Sequence, residues 1–435
     1  MKPLKLTALL LTLLMLLASC GESVPAVTVE DGTNTLAIET EEPAETGEKE
    51  ERRVGAPMSA IPSYVLPEGA STDEIRAMAV KAMRDELTVQ WFVDKNFTYL
   101  NADGGEFKIN SREVYAGLPY TQSGSGLLQW LQYYDPDTGR MHIGNDIQGF
   151  LGNSCAASVM WGWSSVCTSI SWNTTYLMTP GHGCLPVGGY KVDMGLMDYR
   201  EHTTKQIVED NGEEAIMRAY AAVLPADGLI SVANSAATGA HAQMVIEPAH
   251  VVMNADGTFN RDESYIMIQD QHKGAMKTGA PFVTEVDGQK VHYAGHVADK
   301  MTFTKLLANS YIPVTTAEFT GAKPYTVPAA SAEGAESAAT MNDLKQLTIT
   351  SPYKIITVRV VIRDGEEEKA EGKKVFGRVE IENGSAHSYD MSSFLMPAGL
   401  GRKLEKGKAY TMSLEVLLAP GNTVTLAEIP YTYNG

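Results

Sequence analysis

Cationic residues and cysteine are the scarce ingredients of this 435-residue chain: 35 Lys and Arg stand against 53 Asp and Glu, for a net charge of −18, and there are four Cys. So acidic a balance argues against nucleic acid or anionic lipid as the main partner, because both require clustered cations. No His-Glu-x-x-His stretch and no closely paired cysteines supply the spacing of a metal site, and no metal or cofactor is expected. A phosphate-cradling loop is missing as well, since Gly124 and Gly126 are not followed by the Lys and Thr that such a loop uses. The longest greasy run, Leu6 to Ala18, falls short of the ~20 residues that a membrane-spanning helix needs. What remains is ample apolar material, 44% of the chain, enough for real cores in about two domains.

The ends and joints of the chain differ in texture. Met1-Lys2-Pro3-Leu4-Lys5 and the apolar run after it have the form of an export signal, expected over residues 1–19. The run closes on Leu17-Ala18-Ser19-Cys20, which resembles a bacterial lipobox. That resemblance implies lipidation of Cys20 and a cell-envelope lipoprotein held to a bacterial membrane only by its N-terminal acyl chains. Residues 20–58 are crowded with Glu, Thr and Pro and nearly lack large apolar side chains, the composition of a disordered acidic tether. Residues 59–320 read as one mixed domain, 321–342 as an Ala/Ser/Gly/Pro-rich linker, and 343–435 as a small all-β, sandwich-like domain of unassigned role.

Within the mixed domain, Ser71-Thr72-Asp73-Glu74 is a capping-box pattern that starts a helix over about 72–91. A second helix is expected at Leu127–Leu131, a third from Asn211 to Ala222, and an ordered Thr/Gly/Pro-rich insertion over the site begins at residue 164. Alternating apolar runs at 239–246, 249–253 and 264–271 predict strands, followed by a short helix and a last strand up to 314.

The chain is organised around Gly152-Asn153-Ser154-Cys155-Ala156-Ala157, a polar turn just ahead of an apolar, helix-compatible run. In the first turn of a helix, unpaired N–H groups and the positive end of the dipole stabilise a thiolate, which makes Cys155 a candidate nucleophile. The competing reading is a small buried residue in a Trp-rich helix. Cys167 and Cys184 close a short loop and either pair as a disulfide, leaving Cys155 free, or stay reduced.

A cysteine hydrolase needs a thiolate, an imidazole that moves the proton, and a polar group that fixes the imidazole's tautomer. Cys155, His241 and a residue at 269–271 supply the three types in that order. With Gly117-Leu118-Pro119-Tyr120, Gly152-Asn153-Ser154-Cys155, Gly239-Ala240-His241 and Tyr265-Ile266-Met267-Ile268-Gln269-Asp270-Gln271 in place, residues 113–316 resemble an NlpC-type papain-like cell-wall cysteine peptidase. The family's usual Asp-Cys-Ser-Gly is replaced here by Ser154-Cys155-Ala156-Ala157. The resemblance implies an α+β fold with an antiparallel sheet packed on helices, and peptidoglycan or wall-derived peptides as partners. It also implies Cys155 as nucleophile, His241 as base and Gln271 as the third group, with Gln269 its rival on the same strand face. Asp270 ranks below both because a regular strand turns it to the opposite face. Tyr120 and Trp161 are expected to line the substrate cleft. A metal site built from His292 and His296 is the weaker alternative for the remaining histidines. A non-enzymatic lipoprotein that binds wall peptides or a protein partner competes with the hydrolase, and an amide transferase using the same thiol stands third.

Overall fold

The computed structural model describes residues 57–100, 106–121, 126–142, 152–170, 180, 184–192, 203–232, 240–272, 283–286, 288–376, 385–396 and 403–435. The expected signal, Cys20 and the tether up to residue 56 lie outside them, as does most of the 164–200 insertion. The fold is α+β, and among the described residues no helix is long and apolar enough to cross a membrane.

The first helix, Thr72–Thr88, opens with the expected capping box: the Ser71 side chain accepts from Glu74 N–H while the Glu74 carboxylate accepts from Ser71 N–H. Its apolar stripe, Ile75, Ala79, Met83 and Leu87, enters the main core. It stops at Thr88, three residues before the predicted end, because Gln90–Trp91 is drawn off as a strand pairing with Val114–Ala116. The second long helix, Cys155–Ser164, has all ten of its residues buried, as expected of a helix that is apolar on every side.

Both helices pack against a six-stranded sheet. From one edge its strands are Gly295–Thr302, Tyr265–Gln271, His241–Val245, Gly228–Ser231, Ile312–Thr315 and Leu185–Pro186, every pair antiparallel. A helix pair, Thr204–Asn211 and Glu213–Ala221, packs against the Gly228–Ser231 and Ile312–Thr315 strands. The predicted strand at 249–253 does not form. That segment makes only isolated bridges, His250 to Tyr265 and Met253 to Phe259.

A buried pin fixes the first helix to this sheet. Arg76 Nη1 lies 2.8 Å from Asp227 Oδ1 and 2.7 Å from the Pro225 carbonyl, and its Nε donates to the Phe319 carbonyl. Burial raises the Asp227 pKa despite this partner, which fits a carboxylate removed from water.

The C-terminal residues form two antiparallel sheets, one of Ser331–Ala332, Thr348–Thr350 and Ser388–Asp390, the other of Glu367–Val375, Ile355–Asp364, Ala409–Leu418 and Thr423–Thr432. One hydrophobic cluster joins the two sheets. The stretch expected to be a linker is part of this body: Ser331–Ala332 is a strand, Met341–Leu344 a helix with its own capping box, and Ala332 and Ala335 are buried. Nor is the body separate from the first, since Ile356, Leu417 and Ala419 share a core with Tyr64, Trp130 and Trp161.

Candidate active site

Cys155 is the first residue of its helix, with Ser154 as N-cap accepting from Ala157 N–H. The turn ahead of it is held by backbone pairing to the neighbouring loop: Asn153 N–H donates to the Pro119 carbonyl at 3.0 Å and Thr121 N–H to the Asn153 carbonyl at 2.9 Å. Gly152 makes that approach possible. It has φ +156°, and a Cβ there would stand 2.0 Å from the Pro119 carbonyl oxygen.

His241 begins the third strand of the sheet, and its imidazole hydrogen-bonds with Cys155. Its Nε2 lies 2.7 Å from Asp270 Oδ2, which leaves Nδ1 as the ring nitrogen for the sulfur. Burial disfavours the charged ring, but Tyr311, Cys155 and Asp270 outweigh that cost and the His241 pKa is raised well above its usual value.

Asp270 is the group that orients the imidazole. Its buried carboxylate receives four contacts: His241 Nε2 at 2.7 Å and Gln243 Nε2 at 3.2 Å on Oδ2, and His296 Nδ1 at 2.7 Å and His296 N–H at 3.2 Å on Oδ1. Against the cost of burial, these donors and the two imidazoles hold Asp270 far below the usual carboxylate range. Register explains the convergence. Met244 pairs with Gln269, so one residue back along one strand and one on along the other sets Gln243 opposite Asp270, and His241, two residues before Gln243, falls on their face. His296 arrives from the neighbouring strand, directly opposite Asp270. That strand comes close enough because Gly295 has no side chain: a Cβ would stand 1.8 Å from the Asp270 carbonyl oxygen. His272 completes a row of rings, 5.7 Å from His241 and 5.9 Å from His296 between centroids. Its pKa is lowered, first by burial and then by the charges of those two histidines.

The other expected third groups sit on the opposite face of the strand. Gln271 donates to the Leu118 carbonyl and approaches Ser158 Oγ at 3.4 Å, while Gln269 donates to the Val80 carbonyl. The strand alternates as expected, but His241 shares the face of Asp270 and not that of the two glutamines. Tyr120 and Trp161, expected in the cleft, are buried. Trp161 donates through Nε1 to the Ala82 carbonyl at 3.1 Å and meets Tyr64 edge-on, which makes it a core residue. Cys167 and Cys184 are free buried thiols, with pKa values raised by burial, so the possible disulfide is not formed. His292 lies 3.5 Å from Glu113, whereas His296 belongs to Asp270, so the two do not combine into a metal site. Among the described residues no group of three or more His, Cys, Asp or Glu could hold a metal ion.

Sequence reasoning passed over Glu86. It is fully buried beneath the turn that precedes Cys155, taking Asn153 Nδ2 at 3.1 and 3.3 Å and paired through Oε1 with Ser158 Oγ. The signal was present: Glu86 continues the stripe Ile75, Ala79, Ala82 and Met83, so a carboxyl group stands on the apolar face of an amphipathic helix.

No protein-family model matches the chain, and no curated protein matches it.

Proposed function

We propose that this protein is an exported, lipid-anchored cysteine hydrolase of papain-like, NlpC-type architecture that cleaves amide bonds in peptidoglycan stem peptides or related wall peptides. The observation that supports it is the linear array Cys155, His241, Asp270, with the sulfur at a helix N-terminus and the imidazole between thiol and carboxylate. The helix terminus and the imidazolium both stabilise a thiolate.

In this reading the Cys155 thiolate attacks the carbonyl carbon of the scissile amide, and the oxyanion that develops is directed to the Cys155 backbone N–H. His241 then gives its proton to the departing amine as the C–N bond breaks, leaving a thioester. Water attacks the thioester as His241 takes up one of its protons, the C–S bond breaks, and the carboxylic acid product leaves with the thiolate and imidazolium restored. Asp270 keeps the imidazole in one orientation throughout and stabilises its cationic form.

A second reading, a surface lipoprotein that binds wall peptides without cleaving them, draws on the 1% exposure of Cys155. Incubating the full chain and its Cys155→Ala form with defined muropeptides, and following new amines and carboxylates by mass spectrometry, separates the two. The hydrolase reading expects cleavage by the parent chain alone. Binding without cleavage by both forms would overturn it in favour of the second.

A further inference from the structure

Glu86, Ser158, Gln271 and the Leu118 carbonyl form a buried row that runs behind the nucleophile, and its protons can be counted. Gln271 turns its Nε2 to Leu118, so its Oε1 is what faces Ser158 Oγ at 3.4 Å. Reversing the amide would set Oε1 against the Leu118 carbonyl, two acceptors in contact. Asn153 turns its Nδ2 to Glu86 because its Oδ1 accepts from Ser154 N–H at 3.2 Å. Ser158 therefore stands between a carboxyl oxygen and an amide oxygen with a single hydroxyl proton. If Glu86 is ionised, one of those contacts holds two acceptors and no proton. If Glu86 carries a proton, it donates to Ser158, Ser158 donates to Gln271, and Gln271 donates to Leu118, so that every contact has its hydrogen.

We infer that Glu86 is a protonated acid in the working protein, the head of a directional hydrogen-bond chain that positions Cys155. The chain ties together the helix Thr72–Thr88, the turn at Asn153, the nucleophile helix, the end of the Tyr265–Gln271 strand and the loop that pairs with the turn. Gln271, expected to act on the imidazole, is on this account a positioning residue on the far face of the sheet. The surroundings agree. Among the described residues no ion pair joins Glu86 to a Lys, Arg or His; Tyr64 of the N-terminal segment interacts with it electrostatically, and Asp85, next to it on its own helix, is paired with Lys81. Burial pushes the Glu86 pKa up to about 8, with the Ser158 and Asn153 hydrogen bonds working the other way.

The positioning role rests on the hydrolase reading, whereas the protonation does not, and two measurements on the full chain keep them apart. The infrared difference between parent and Glu86→Gln protein at neutral pH is expected to contain the carbonyl stretch of a protonated carboxyl group. Ser158→Ala, which removes the acceptor, is expected to shift that band, which keeps the test available if Glu86→Gln fails to fold. The absence of the band overturns the inference. Second, the alkylation rate of Cys155 is followed from pH 6 to 10. The parent is expected to fall behind Glu86→Gln above pH 8, by on the order of tenfold, as ionisation breaks the chain and the turn shifts. Superimposable profiles overturn the positioning role. A protonated band and diverging profiles in a chain that hydrolyses no wall peptide would uphold the protonation of Glu86 and its coupling to the Cys155 thiol and reject the proposed hydrolase.

Discussion

Asp270 and Gln271 are consecutive in one strand and serve opposite faces of the sheet: the carboxylate receives His241 and His296, while the amide reaches Ser158 and Leu118 on the helix side. Their substitutions should therefore separate. Asp270→Asn keeps the shape but takes the negative charge from the imidazolium and frees its tautomer. Turnover is expected to fall by about 10³-fold or more, in line with the equivalent change in serine proteases. Gln271→Ala should instead cost about 1–3 kcal/mol of stability, because the buried Leu118 carbonyl loses its donor. Steady-state kinetics beside urea denaturation checks both, and equal kinetic losses without a stability difference would contradict the division of roles.

His296 shares Asp270 with His241 but approaches the other carboxylate oxygen. His296→Asn is expected to lower turnover by much less than the ~10²-fold that marks the loss of a general base, whereas His241→Asn should exceed it. The reverse order in a kcat comparison would move the base from His241 to His296.

Much of this site is legible in the residues themselves, and the reasons the rest is not are physical. Ser154 before Cys155 and an apolar run after it announce a capped helix, and the pattern around His241 announces a strand, because both depend on local chemistry. Which residue meets the imidazole depends on register between strands and on how far a neighbouring strand can approach. Gly295, whose missing Cβ admits the strand that carries His296, gives no local sign of that role. The strands at Val283–Val286 and Gln289–Tyr293 escaped notice for a similar reason: their alternation is weak, and the second earns its place by parallel pairing with Val114–Ala116. Residues 321–342 lack apolar periodicity, yet they contribute a strand and a helix because a partner sheet supplies the hydrogen bonds and the burial.

Trp161 tests the difference between core and cleft. Its ring packs edge-on to Tyr64, and a Cβ on Gly126 would stand 2.4 Å from it. Trp161→Ala is expected to cost about 3–5 kcal/mol of stability. In the hydrolase reading, KM should stay near that of the parent at temperatures where the variant is folded. A large rise in KM with little loss of melting temperature would return Trp161 to the substrate cleft.

The dependence of stability on pH separates the Asp270–His241 pair from the buried acid. Asp270 is depressed below its ordinary 3.8, so its contribution is complete above that pH and is lost as pH falls towards its folded value. His241 is raised above 6.5, so its contribution is complete below that pH and is lost as pH rises through its folded value. Glu86 is raised from 4.5 to about 8, so the folded chain holds a proton that the unfolded chain has released, and stability drains away between those values. Each such proton tilts the curve by about 1.4 kcal/mol per pH unit. The parent should therefore be most stable between about pH 4 and 4.5 as far as these three groups decide it, declining slowly to pH 6.5 and more steeply up to about 8. Glu86→Gln should remove the decline between 4.5 and 6.5 and leave only the His241 part of the one above it. His241→Asn should keep the slow decline from 4.5 to about 8 and remove only its steepening above 6.5. Melting temperatures of the three proteins from pH 3 to 9 give the answer. A parent whose stability rises between pH 4.5 and 8, with the same slope in Glu86→Gln, would mean that Glu86 is ionised in the folded protein and that the hydrogen-bond chain behind Cys155 runs without its proton.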